Sequence, residues 1–264
     1  MTKFPAAPGN LPAPGKPDDL LSIVCLGASA GGFEAYCTIL SLLPADTGMA
    51  YIVVDHQSAV GKSLLVEILP RMTTMPVVLV SDGVIVRADS VYVVPPGMQV
   101  TMDGEVFRLS PLDKTPGWPK PISIFLRSLA ADRQKRAIAV ILSGFDSDGA
   151  VALKSIKQAG GLVFAQNFAT AKQPDMPKSA VKTGWVDRLL PPAEIAIQLG
   201  RIGEERCPQK NRRPIAAPPW ILRPPPAGQA EDRPGNRGTG AKAAGPRVPP
   251  GTGEAKGAPG RRGG

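Results

Sequence analysis

Ser22-Ile23-Val24-Cys25-Leu26-Gly27-Ala28-Ser29-Ala30-Gly31-Gly32 decides how the rest of the chain is read. Residues 22–26 form a short apolar run that stops at Gly27. A run of that length, ended by a glycine, predicts a strand buried on both faces. The small-residue segment that follows predicts a tight turn. Residues 33–43 then carry Phe33, Tyr36, Cys37, Ile39 and Leu40 at near-helical spacing, and Pro44 ends the pattern. Strand, glycine turn and helix make the first half of a βα unit.

The unit recurs outward along the chain. Residues 50–54 predict a second buried strand that closes on Asp55-His56, and 63–71 a helix. Residues 122–132 and 148–158 predict helices around a strand at 137–142. Strands at 162–165 and 185–189 and a last helix at 192–202 complete the series. The middle differs. Residues 77–80, 84–86, 91–94, 99–102 and 106–109 are short β-branched segments between turn signals, and Asp103-Gly104 is a hairpin signal. Alternating βα units imply an α/β fold: a doubly wound, mainly parallel sheet, helices on both faces, and a small β-hairpin region.

The chain has 264 residues and a formal net charge of +9. Residues 206–264 hold 12 Lys/Arg against 3 Asp/Glu, so the whole excess sits there, together with 12 Pro and 11 Gly. Such a composition predicts a disordered segment. The domain expectation is a Pro-rich disordered leader at 1–19, one folded domain at 20–202, and a disordered basic tail at 203–264. The tail has one aromatic residue, Trp220, so base stacking is poorly supplied and a nucleic-acid role is not favoured. Three cysteines without a C-x-x-C pair give no disulfide framework. No run approaches the ~20 apolar residues of a membrane span, and the leader lacks a signal-peptide core, so a cytoplasmic location is expected.

In a doubly wound sheet, ligands sit beyond the C-terminal strand ends. Three polar loops fall there. Ser29 in Gly27–Gly32 lies on a strand-to-helix turn, and three readings of it stay open: a helix cap, a nucleophile on an elbow, or a phosphate cradle. His56 is the only histidine in the chain and follows a buried strand directly, with an unperturbed pKa near neutrality. In residues 143–149, Asp148 reads either as the N-cap of the helix after it or as the carboxylate that orients His56, with Asp146 its rival on position.

At this point IVCLGASAGG, VVDHQ, VILSGFDSDGA, LKSIKQAGGLVFAQ and DMPKSAV…GWVDRLLPPAEIA resemble the catalytic domain of CheB, the chemotaxis protein-glutamate methylesterase. The likeness covers residues 20–202, and KSLLVEILPRMTTMPV and SVYVVPPG look closer still to the methylesterase part of CheB/CheR fusion proteins. The resemblance implies Ser29 as nucleophile, His56 as general base and Asp148 as orienting acid, which chooses Asp148 over Asp146. It implies oxyanion stabilisation by backbone N–H near the third loop, at Phe145, with Ala30 beside the nucleophile. The substrate would be a glutamate γ-methyl ester on a methylated chemoreceptor helix, with deamidation of glutamine by the same acyl-enzyme route, and no cofactor or metal is required. Three residues depart from the family pattern: Ala30 stands where threonine is common, Asp55 where glutamine is usual, and Asp146 where a small uncharged residue is usual. The family's receiver domain has no counterpart in the nineteen residues before the first strand, and the tail carries no methyltransferase-like pattern, as expected of a chain cut or frame-shifted downstream of an ancestral fusion.

Two other readings fit parts of the chain. Strand, glycine turn, helix, strand and Asp55 mimic a dinucleotide-binding oxidoreductase, but Ser29 occupies the place of the middle glycine and hinders approach of a pyrophosphate. A non-enzymatic binder would use the basic tail through counterion release.

Overall fold

The computed structural model describes residues 21–55, 64–112 and 120–207. The predicted leader and most of the predicted tail lie outside them. Nine strands are formed by these residues: β1 (Ile23–Ala28), β2 (Ala50–Asp55), β3 (Val77–Leu79), β4 (Ser90–Val93), β5 (Met98–Asp103), β6 (Val106–Pro111), β7 (Ala137–Ile141), β8 (Leu162–Gln166) and β9 (Arg188–Leu190). The helices are α1 (Phe33–Leu42), α2 (Leu65–Ile68), α3 (Pro121–Arg133), α4 (Leu153–Gln158), α5 (Asp175–Lys182) and α6 (Pro192–Arg206).

Seven strands make one sheet in the order β3-β4-β2-β1-β7-β8-β9, and every pairing in it is parallel. Strands β5 and β6 form a separate antiparallel hairpin at the Asp103-Gly104 signal. The apolar runs of β1 and β7 show no alternation because both faces of the sheet are covered. Their side chains still alternate between two cores. Ile23 and Cys25 point to the layer of α3, α4, α5 and the hairpin, with Phe125, Leu126, Leu153, Met176 and Phe107. Val24 and Leu26 point to the layer of α1, α2 and α6, with Tyr36, Ile39, Leu65 and Leu199. The expected doubly wound α/β architecture is therefore present.

Several boundaries differ from expectation. Residues 84–86 are not a strand and make one isolated bridge, Ile85 to Val106. The helix expected at 63–71 is short, with α2 passing into a 3-10 turn at Leu69–Arg71, where Pro70 has no N–H to offer the ladder. The helix expected at 148–158 starts later, after a 3-10 turn at Ala150–Ala152, because Gly149 takes φ +85°. Helix α5 has no counterpart among the elements expected from the sequence. Helix α6 continues past the expected end at 202, with Ile202 and Gly203 buried, and Arg206 donates to Ser22 Oγ at 3.2 Å and to the Lys135 carbonyl at 3.1 Å. Residues 203–206 are therefore helix and belong with the folded layer rather than with the tail.

Strand β1 is flanked by β2 on one side and β7 on the other. The chain runs from β1 to one neighbour immediately and reaches the other much later. That is the switch point where a parallel sheet opens a crevice beyond its C-terminal edge.

Candidate functional site

Ser29 follows the last residue of β1 and stands in this crevice. Its N–H donates to the Ser143 carbonyl at 2.9 Å, and its own carbonyl accepts the Gly32 N–H at 3.0 Å. These two bonds close the turn between β1 and α1. Gly31 adopts φ +76°, and a Cβ there would meet Ser143 Oγ at 2.8 Å, so a side chain is excluded by both backbone and space. A Cβ on Gly32 would stand 2.3 Å from the Ala28 Cβ. Ser29 does not cap α1: Gly32 occupies the cap position and no side chain bonds the first turn. The helix-cap reading of Ser29 is thereby removed.

Ser143 is the fully buried hub of the turn. Its hydroxyl donates to the Ala30 carbonyl at 2.8 Å and accepts the Gln173 N–H at 2.9 Å. Its N–H donates to Gln166 Oε1 at 2.9 Å. The loops after β1, β7 and β8 are thus tied through one serine. Ala30 enters this arrangement by its carbonyl. Gly144 packs so close to Ser29 that a Cβ on it would lie 3.1 Å from the Ser29 Cβ. Phe145, next in the loop, is 61% exposed, so its ring is directed to solvent at the mouth of the crevice.

Asp148 is 1% exposed. Its Oδ2 accepts the Ile122 N–H at 2.9 Å, and its Oδ1 accepts the Ser123 N–H at 2.9 Å, the Ser123 hydroxyl at 2.7 Å and the Gly149 N–H at 2.7 Å. Lys120, at the cap position of α3, makes no side-chain cap and Pro121 opens the helix. Ile122 and Ser123 are therefore the second and third helical residues, whose N–H groups an N-cap side chain ordinarily accepts. Asp148 supplies that cap to α3 from 25 residues further along the chain, not to the helix that follows it. Asp146 lies beside it, its Oδ1 accepting the Asp148 N–H at 2.7 Å.

Burial pushes the Cys25 thiol far above its ordinary range, and the Asp148 charge adds to that. Burial likewise raises Tyr36, with the Asp55 carboxylate as the second cause, and the Tyr36 hydroxyl faces the Val54 carbonyl at 3.4 Å. Asp55 is paired across the sheet with Ala28, the residue before Ser29. His56, next in the chain, lies outside the described residues.

Sequence reasoning missed Ser123, Ser143, Gln166 and Gln173. A Pro-x-Ser at the opening of a helix is a weak signal for the first. The others bond across loops that are distant in sequence and leave no local pattern. Among the described residues no group of three or more His, Cys, Asp or Glu is placed to hold a metal ion.

Known proteins are similar to this chain in sequence, and one in fold. An uncharacterized 104.1 kDa protein of Rhodobacter capsulatus is 37% identical over 150 residues, covering 57% of this chain and 15% of that protein. A protein-glutamate methylesterase/protein-glutamine glutaminase of Burkholderia orbicola is 32% identical over 194 residues, 73% of this chain and 56% of the relative. The chain thus spans about half the length of the second relative and a small part of the first. The crystal structure of the Thermotoga maritima CheB methylesterase catalytic domain superposes with a TM-score of 0.62 at 26% identity, covering 69% of this chain and 99% of that one. Residues 24–199 match the CheB methylesterase family, and a match across that much of the chain, on a fold whose β1 turn and β7 loop meet at Ser29, makes the protein a member of the CheB methylesterase family.

Proposed function

We propose that the chain hydrolyses glutamate γ-methyl esters on methylated chemoreceptors, with Ser29 as nucleophile, His56 as general base and Asp148 as the acid that orients the histidine. The observation that carries this reading is the Ser29 turn, locked to Ser143 at the switch point of the sheet. His56 takes the Ser29 proton as the hydroxyl attacks the ester carbonyl. The tetrahedral oxyanion is held by backbone N–H groups, that of Phe145 among them, each worth ~3 kcal/mol in comparable sites. Methanol leaves with the proton from His56, and the same base then activates water to free the glutamate. A glutamine side chain at the same position loses ammonia by the same two steps.

Support comes from family membership, from relatives named for both reactions, and from the rigid seating of Asp148. No described helix is long and apolar enough to cross a membrane, and the reading places the chain in the cytoplasm, where receptor signalling helices are reached. The working unit is taken as residues 20–207, since α6 runs through Arg206. The test is methanol release from a peptide bearing a glutamate γ-methyl ester. Ser29→Ala should abolish release and leave the unfolding midpoint unchanged. Near-full activity in that variant would overturn the assignment.

A further inference from the structure

We propose that Ser123 is a positioning residue: its hydroxyl fixes the Asp148 carboxylate in the orientation from which it holds the histidine. The inference rests on the triad reading above. Ser123 is 2% exposed and sits at the opening of α3, away from the three loops that the sequence marks as the site. Three contacts converge on it. Its hydroxyl donates to Asp148 Oδ1 at 2.7 Å, its N–H donates to the same oxygen at 2.9 Å, and its oxygen accepts the Gly149 N–H at 2.8 Å. One side chain thus grips both the carboxylate and the peptide unit that follows it.

The geometry separates two roles. The Ile122 and Ser123 N–H groups bind both carboxylate oxygens and belong to the backbone, so they survive any side-chain change that keeps α3. They account for the burial of Asp148 and for the capping of the helix. The hydroxyl adds a second donor to Oδ1 and ties that oxygen to the Gly149 amide through a shared partner. Its contribution is to orientation: backbone N–H groups hold both oxygens, and the hydroxyl adds a 2.7 Å bond that narrows the play left to Oδ1. An orienting acid acts through direction, so a tilt is felt by the base that it holds. A side chain at this place with no hydroxyl leaves the fold intact and slackens the acid.

The experiment uses the full chain with the glutamate γ-methyl ester peptide, and compares wild type, Ser123→Ala, Asp148→Ala and the double variant. A fluorophosphonate probe reads the reactivity of Ser29 in parallel. The expected result for Ser123→Ala is a loss of about tenfold or more in kcat with KM within about twofold, the scale seen when outer-shell orienting groups are removed. In the Asp148→Ala background the same substitution should change the residual rate by less than about twofold, because nothing remains to orient. If Ser123→Ala fails to fold, Ser123→Cys, near in shape and a poorer donor, replaces it. A kcat within twofold of wild type, a loss confined to KM, or an equal loss in both backgrounds would overturn the inference alone. Wild-type chain that neither releases methanol nor takes the probe would overturn the proposed function, and this inference with it.

Discussion

Gly32→Ala isolates the rigidity of the nucleophile turn. A Cβ at position 32 would lie 2.3 Å from the Ala28 Cβ and 3.1 Å from the Ser29 carbonyl oxygen. Carbon atoms in contact stand about 3.5–4.0 Å apart, so the shortfall against Ala28 is about 1.2–1.7 Å. Neither Cβ can rotate away, because each is fixed to its own backbone. The end of β1 and the start of α1 must part instead, and the residues between them include Ser29. Overpacking of this kind costs about 1–3 kcal/mol. For a domain of this size that corresponds to a fall of about 2–12 °C in Tm. Displacement of a reacting atom by about 1 Å costs on the order of 100-fold in rate, a larger relative effect than the stability loss. Methanol release is measured well below the variant's own Tm, so the rate reports geometry rather than unfolding. Gly83→Ala is the control: Gly83 has φ +79° with nothing within 4 Å of an added Cβ. That variant should lose about 1–2 kcal/mol from backbone strain alone and keep its rate. Wild-type rate and stability in Gly32→Ala would refute the claim that this turn is held fixed by close packing.

The remaining predictions concern the acid, a buried thiol and the domain boundary. Asp148→Asn turns one carboxylate oxygen into a donor that faces an N–H, which should cost about 1–3 kcal/mol and lower kcat by orders of magnitude. Asp146→Asn keeps an oxygen able to accept the Asp148 N–H and should change kcat by less than about threefold, and the reverse ranking would move the acid to Asp146. Cys25, raised first by burial and then by the Asp148 charge, should resist a thiol reagent at pH 8 until the chain is unfolded, whereas Cys37, raised less by burial and Glu34, should react in the native state. Fast native labelling of Cys25 would show that the core around it opens. A chain cut after Ile202 loses the Arg206 bonds to Ser22 and Lys135, at about 1 kcal/mol each. It should melt several degrees below a chain cut after Cys207, and equal midpoints would return the boundary to 202.

The sequence by itself determined most of the strands and helices, though not α5 or the loss of a strand at 84–86, together with the hairpin at Asp103-Gly104 and the placing of Ser29 and Asp148 in loops at one edge of the sheet. These follow from local signals. Apolar runs of strand length, glycine turns and helical spacing are written in neighbouring residues, and the right-handed crossover between parallel strands leaves few ways to assemble them. Boundaries slipped where a single backbone feature overrode the pattern, as at Gly149 and Pro70. Tertiary structure alone decided what each loop residue does. Asp148 has the local signature of an N-cap, yet it caps α3, because the cap of α3 is missing from its own sequence and the β7 loop folds onto that helix. Ser143 gives no sign in its neighbours that it ties three loops, and Ser123 lies outside all three. Hydrogen bonds that join residues 25 or more apart have no period to read. They exist only once the sheet has brought its strand ends together.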